Sequence, residues 1–285
     1  MRLRIDSYSI WIVSRKGYEH SHAFDEVALA LESAFRQLGY AAEIVRDPHR
    51  LAATTIVLGP HLLTVSEARA VRSRLILFNM EQVSTSSPWF TEEYLTLLRA
   101  HTVWDYSPRN IMEARHLGVH AHYCGIGYAP ALARIERGDE DIDVLFYGSL
   151  NPRRRAALDG LVRCGLTVNY LFGTYGEARD AVISRSKITL NLHFYETRVL
   201  EVVRVAYLLS NQRCVVSERG ADRELERPFE GGMIFVDYDD IARCCSELVT
   251  NQPRRDAIAR EGFRCISLLP QIDYLRAALY GCRLR

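Results

Sequence analysis

Lysine is almost missing from this 285-residue chain: of its 36 basic residues, only Lys16 and Lys187 are lysines. An arginine bias of this kind fits a GC-rich coding sequence, so an arginine carries meaning only where its neighbours single it out. Net charge is also close to absent, at +1. No global field therefore draws the chain to nucleic acid or to an anionic membrane, and a charged ligand must be met locally. The seven cysteines form no CxxC pair and no Cys/His metal spacing, which speaks against a zinc framework and for a reduced, cytoplasmic protein. No apolar run reaches the roughly 18 residues of a membrane span, and the opening MRLRIDSYSIWIV lacks a signal-peptide pattern. The expectation is a protein neither secreted nor membrane-spanning by its own sequence.

Hydrophobic residues make up 48% of the chain, enough for two cores of roughly 100 to 150 residues each. Short β-rich apolar runs alternate with longer amphipathic segments, the pattern of βαβ units and parallel sheets. The fold class is α/β: two Rossmann-like domains facing a cleft. In the first half, strands are expected over 9–13, 42–45, 55–58, 75–78, 103–106 and 121–124. Helices fall between them over 23–38, 66–72, 90–99 and 108–117. The polar stretch GYAPALARIERGDEDID marks the boundary, giving domains 1–135 and 136–285. The second half predicts strands over 144–147, 168–172, 187–192, 214–217 and 233–236. Its helices are expected over 153–164, 176–184, 197–209 and 239–250, with a last helical region from Arg254.

In an open parallel sheet, ligands bind beyond the carboxyl ends of the strands, where loops and helix N-termini supply N–H groups. For the second domain this rule selects residues 148–151, 173–176, 191–197 and 217–220. FYGSLNPRRR places Gly148 and Ser149 in a turn, Asn151 as N-cap, Pro152 at the first helical position, and three arginines in the first turn. Arginines there oppose the helix dipole, so a nearby anion explains them better than helix stability does. The turn glycine is too little for a dinucleotide fingerprint, and a plain turn with solvent-facing arginines is the competing reading. In LNLHFYETRVLEVVRVAYLLSNQRCVVSE, Asn191, His193 and Tyr195 end an apolar strand, and Glu201 and Arg204 share one face of the next helix. A carboxylate at such a place suits two ribose hydroxyls, and an ordinary surface ion pair is the alternative.

Four pieces stand in the order VLFYGSLNPRRR, SKITLNLH, RVLEVVRVAYLLSNQRCVVSE and GGMIFVDYDDIARCCSELVTNQPRRDAIAREGF. With them, residues 144–263 resemble the nucleotide-sugar-binding domain of GT-B glycosyltransferases, especially the bacterial family-1-like and spore-maturation-type group. The resemblance implies a metal-independent transferase that uses a nucleotide-sugar as substrate and no cofactor. Glu201 matches the residue that binds the donor ribose, and Gly148, Asn151 and Arg153 match the phosphate-side loop. Ser149, Gly173, Tyr175, Asn191, His193 and Arg204 complete the donor set. LLSNQR replaces the small-residue and glycine step usual after the glutamate helix.

The run DYDD at 237–240 could be mistaken for a metal-binding motif, but its position before a helix makes capping by Asp239 or Asp240 the better account. Acceptor activation needs a general base within hydrogen-bond reach of the attacking hydroxyl. Two first-domain loops offer one. SRKGYEHSHAF carries Glu19, His20 and His22; FNMEQVSTSSPW carries Asn79, Glu81 and Gln82. His22, His20 and Glu81 are the candidates. The acceptor (saccharide, peptide or small molecule) and the oligomeric state are left open by the sequence. A non-catalytic nucleotide- or sugar-binding module, or an epimerase using the same architecture, is the alternative function; no nucleic-acid partner is expected.

Overall fold

The computed structural model describes residues 7–84 and 87–283. MRLRID at the start and Thr85 and Ser86 of the FNMEQVSTSSPW loop lie outside the described residues, so part of each of those two sequence readings is not addressed.

The chain divides into two compact units. The first runs β1 (Ser7–Ile12), α1 (Asp25–Gln37), β2 (Ala41–Val45), β3 (Thr54–Leu58), α2 (Val65–Ala70), β4 (Arg74–Asn79), α3 (Glu92–Ala100), β5 (Thr102–Asp105), α4 (Pro108–His116) and β6 (Ala121–Tyr123). The second runs β7 (Ile142–Tyr147), α5 (Pro152–Arg163), β8 (Val168–Leu171), α6 (Gly176–Ser184), β9 (Ser186–Asn191), α7 (Val202–Ser210), β10 (Val215–Glu218), α8 (Arg223–Glu226), β11 (Ile234–Val236), α9 (Ile241–Val249) and α10 (Gln252–Ser267); α11 (Gln271–Arg283) closes the chain.

Both sheets are parallel, in the orders β2-β1-β3-β4-β5-β6 and β11-β10-β9-β7-β8. Each winds outward in both directions from its first strand, which puts a topological switch point between β1 and β3, and another between β7 and β9. The central strands bury both faces, as the continuous apolar runs IWIV and LILF require; Ile10, Leu77 and Phe78 are almost inaccessible. Helix α1 lays Val27, Ala28, Leu31, Ala34 and Phe35 against the first unit's core, and Gly39, at φ +81°, ends it in the left-handed conformation expected after a helix. Thr64 and Glu67 form a reciprocal capping box at the start of α2.

The unit boundary departs from the expected 135/136 division. The first unit takes the chain up to Ala131 together with the segment from Leu269 onward, and the second is Leu132–Leu268. The reason lies in one buried side chain: Gln271 donates to the Gly125 carbonyl (3.0 Å) and accepts from the Gly127 N–H (2.8 Å). Helix α11 then packs beside α1. The helix expected over 197–209 also differs, since α7 begins only at Val202. The preceding residues form a loop in which Arg198 takes a left-handed φ of 45°.

Candidate functional site

At the second unit's switch point the sequence-selected loops meet. Gly148 follows β7 with φ +131°, and a Cβ there would lie 2.9 Å from Arg204 Nη2. Only glycine lets the backbone turn beneath that guanidinium. Asn151 caps α5 by accepting from the Arg154 N–H (2.8 Å), and its amide donates to the Phe194 carbonyl (3.1 Å). The cap sets the helical phase: Arg154, Ala157, Leu158 and Leu161 are the buried residues of α5, an i, i+3, i+4, i+7 stripe. Arg154 is thereby driven inward. Its Nη1 donates to the Ser149 carbonyl (2.7 Å), and its Nη2 donates to the Leu192 carbonyl and lies 3.2 Å from Glu201 Oε1.

Glu201 stands at the N-cap position of α7, one residue ahead of the helix, which corrects its expected place within the helix. Its Oε2 accepts from Asn191 Nδ2 (3.0 Å) and lies 3.1 Å from His193 Nδ1. Arg204, in the first turn of α7, donates to Asn191 Oδ1 (2.6 Å) and lies over the Tyr147 ring, 5.1 Å from its centroid. Asn191 is thus a buried bridge between the two groups that the sequence paired directly. His193 Nε2 lies 3.1 Å from the Glu218 carbonyl, while Nδ1, on the Glu201 side, makes no hydrogen bond among the described residues. An imidazolium here is drawn toward both glutamates. Burial works against that charge, yet Glu201 and Glu218 raise its pKa above the ordinary histidine value. For Glu201 burial would raise the pKa, but His193, Arg204 and Arg154 overcome it and hold the carboxyl at about 2. Burial, reinforced by Arg204, lowers Arg154 to about 10.

Arg153, expected to hold phosphate, turns the other way. Its guanidinium pairs with both carboxylate oxygens of Glu218 and lies 4.0 Å from the Tyr238 ring centroid. The anions that explain the first-turn arginines therefore include the protein's own glutamates. Gly173 (φ +67°) and Tyr175, the residue before α6, lie in the turn after β8, one strand beyond β7. The DYDD account also changes: Asp240 takes the N-cap position of α9 without a side-chain cap bond and pairs with Arg243 (2.9 Å). Arg154 and Glu218 were missed by sequence reasoning. The phase of Arg154 relative to Ala157, Leu158 and Leu161 was the available signal.

In the first unit the candidate bases separate. His20 and His22 lie in a 3-10 turn over Glu19–Phe24; His22 is exposed and its Nδ1 is 2.8 Å from Asp25. Glu81 follows β4, mostly buried, with Oε1 3.7 Å from His61 Nδ1. Burial pushes Glu81 up to about 7 and His61 down to about 4. Behind them, Asn79 donates to Asp105 (2.6 Å) and accepts from the Tyr94 hydroxyl (3.0 Å). Asn110 donates to the Glu81 carbonyl (3.0 Å). Burial raises Asp105 to about 7 against the pull of its amide and backbone donors. His61 and Asp105 carried no motif in the sequence; they gain meaning only because β3 and β5 end beside β4.

No protein-family model matches the chain. Solved structures match it over almost its whole length. T4 phage BGT in complex with UDP-glucose has a TM-score of 0.60 at 12% identity, covering 95% of this chain and 97% of that one. Anabaena HepE in complex with UDP-glucose has a TM-score of 0.63 at 10% identity, covering 96% and 99%. AviGT4, a glycosyltransferase involved in avilamycin A biosynthesis, has a TM-score of 0.58 at 13% identity, covering 97% of each. The likeness establishes the fold, which is of the GT-B type. Among curated proteins, one uncharacterized protein of Acanthamoeba polyphaga mimivirus is 28% identical over 182 residues, covering 62% of this chain and 59% of the relative. A second from the same virus is 28% identical over 153 residues, covering 52% and 53%. The chain spans between half and three-fifths of the length of these two relatives. They are viral, and lend no support to a bacterial affiliation.

Proposed function

We propose that the chain is a glycosyltransferase that moves a sugar from a nucleotide diphosphate sugar to an acceptor hydroxyl. The observation that carries this reading is the charge balance at the second unit's switch point. Three guanidinia, those of Arg153, Arg154 and Arg204, stand there against the two carboxylates of Glu201 and Glu218. Such an excess at the carboxyl end of a parallel sheet favours a dianionic ligand. Solved structures of this fold include proteins in complex with UDP-glucose, and we carry that donor class to this chain.

In this reading Glu201 accepts the ribose hydroxyls, while Arg154 and Arg204, with the Gly148–Asn151 turn, hold the diphosphate. The guanidinia stabilise the charge that develops as the bond from the anomeric carbon to phosphate breaks, and take the place of a divalent metal. Glu81 removes the acceptor proton: burial raises its pKa to about 7, which suits proton transfer near neutral pH. A cytoplasmic setting and kinship with the spore-maturation-type group belong to the same proposal.

The test is release of nucleoside diphosphate from UDP-glucose in the presence of acceptor mixtures, with a chelator added. Turnover that survives the chelator supports the reading. Turnover lost in chelator and restored by manganese sinks the metal-free part, and nucleotide affinity unchanged in Glu201→Ala sinks the donor assignment.

A further inference from the structure

The connection from β2 to β3 must pass over β1, since β1 lies between them in the sheet. A parallel crossover of this kind usually takes a dozen or more residues and a helix. Here residues 46–53 do it with one 3-10 turn, Pro48–Arg50, and the next crossover offers only the six-residue α2. A strip of apolar sheet face is left without a full helical cover. The result is a cavity of about 590 Å³ in the first unit, walled by Trp11, Val13, Leu51, Leu63 and Val71. Ala52, Ala53 and Ala70, small side chains where a helical cover would present large ones, leave the space open.

Its size falls in the range of small-molecule sites. The lining also has a sign: Arg15 pairs with Glu67 and Arg46 with Asp25, so the positive excess rests on Arg72. Arg72 is exposed. These groups belong to neither the switch-point network of the second unit nor the Glu81 cluster.

We propose that this cavity binds a single amphiphilic anion, an aliphatic or aromatic body laid against Trp11 and Leu63 with its acid group held by Arg72. Apolar burial supplies the affinity and the arginine selects the charge. The site is independent of the donor assignment, and nucleotide binding serves as its control.

Calorimetric titration of the full chain with monomeric decanoate tests it. One decanoate per chain is expected, with decyltrimethylammonium at least about tenfold weaker. Filling the cavity with Ala70→Trp or Ala53→Trp should weaken decanoate by at least about tenfold, and Arg72→Glu by about fivefold or more, with nucleotide affinity unchanged. Two filling variants guard against one failing to fold. Absence of decanoate binding, equal binding of the cationic amphiphile, decanoate binding unchanged in a folded filling variant, or binding only to phosphatidylglycerol vesicles would each overturn the proposal.

Discussion

At the scale of single residues, Glu201 and Glu81 illustrate opposite uses of burial. Glu201 is held at about 2 against an ordinary 4.5, so its contribution to stability is full above about pH 4.5 and drains away as pH falls toward 2. Acid unfolding followed by circular dichroism should therefore be steeper over that interval in the native chain than in Glu201→Gln. For Glu81 the sign reverses. Its pKa is raised to about 7, so its contribution is present below 4.5 and lost as pH rises through 7. Glu81→Gln should gain about 1–2 kcal/mol in denaturant unfolding at pH 8. The same substitution should abolish a rise of kcat/KM with pH centred near 7. Gly148→Ala makes a third case. A Cβ would press on a guanidinium anchored to Asn191 in a backbone region that L side chains avoid, so a loss of about 1–3 kcal/mol and weaker nucleotide binding are expected.

Elements were legible where periodicity and caps agreed, and illegible where tertiary contacts decide. The strand-turn-helix from β7 to α5 could be read because Asn151 and Pro152 are local signals acting on their own backbone. The start of α7 could not: TRVLE has no helix breaker, yet its backbone serves the site. The Arg198 carbonyl accepts from the Ala221 N–H (2.9 Å) and lies against Gly220. Likewise the choice between Arg153 and Arg154 needed the helical phase, and then the position of Glu218 on a strand two places away in the sheet. The glycine of the segment RDAIAREG has a packing reason. A Cβ on Gly262 in α10 would meet the Gly232 carbonyl at 2.5 Å and Leu209 at 2.7 Å. Gly262→Ala should therefore lower stability by about 1–3 kcal/mol in thermal or denaturant melts.

For the whole molecule, alternation of β-rich and amphipathic segments was enough to predict two α/β units, because period and length are properties of the chain itself. The return of α11 to the first unit was not readable, since it depends on Gln271 meeting two backbone groups more than a hundred residues away in sequence. Gln271→Ala should strand the Gly125 carbonyl and the Gly127 N–H and cost about 1–3 kcal/mol, seen as an earlier melting of the first unit. The central claim concerns the second unit, where Glu201, Asn191, His193, Arg154 and Arg204 knit one charged network beneath Gly148. Calorimetric titration of the full chain and of Glu201→Gln with a panel of nucleoside diphosphates and their sugars tests it most directly. The account predicts that at least one nucleotide binds one to one and that Glu201→Gln weakens it at least about tenfold; no binding from the panel, or equal binding by the folded variant, would contradict it.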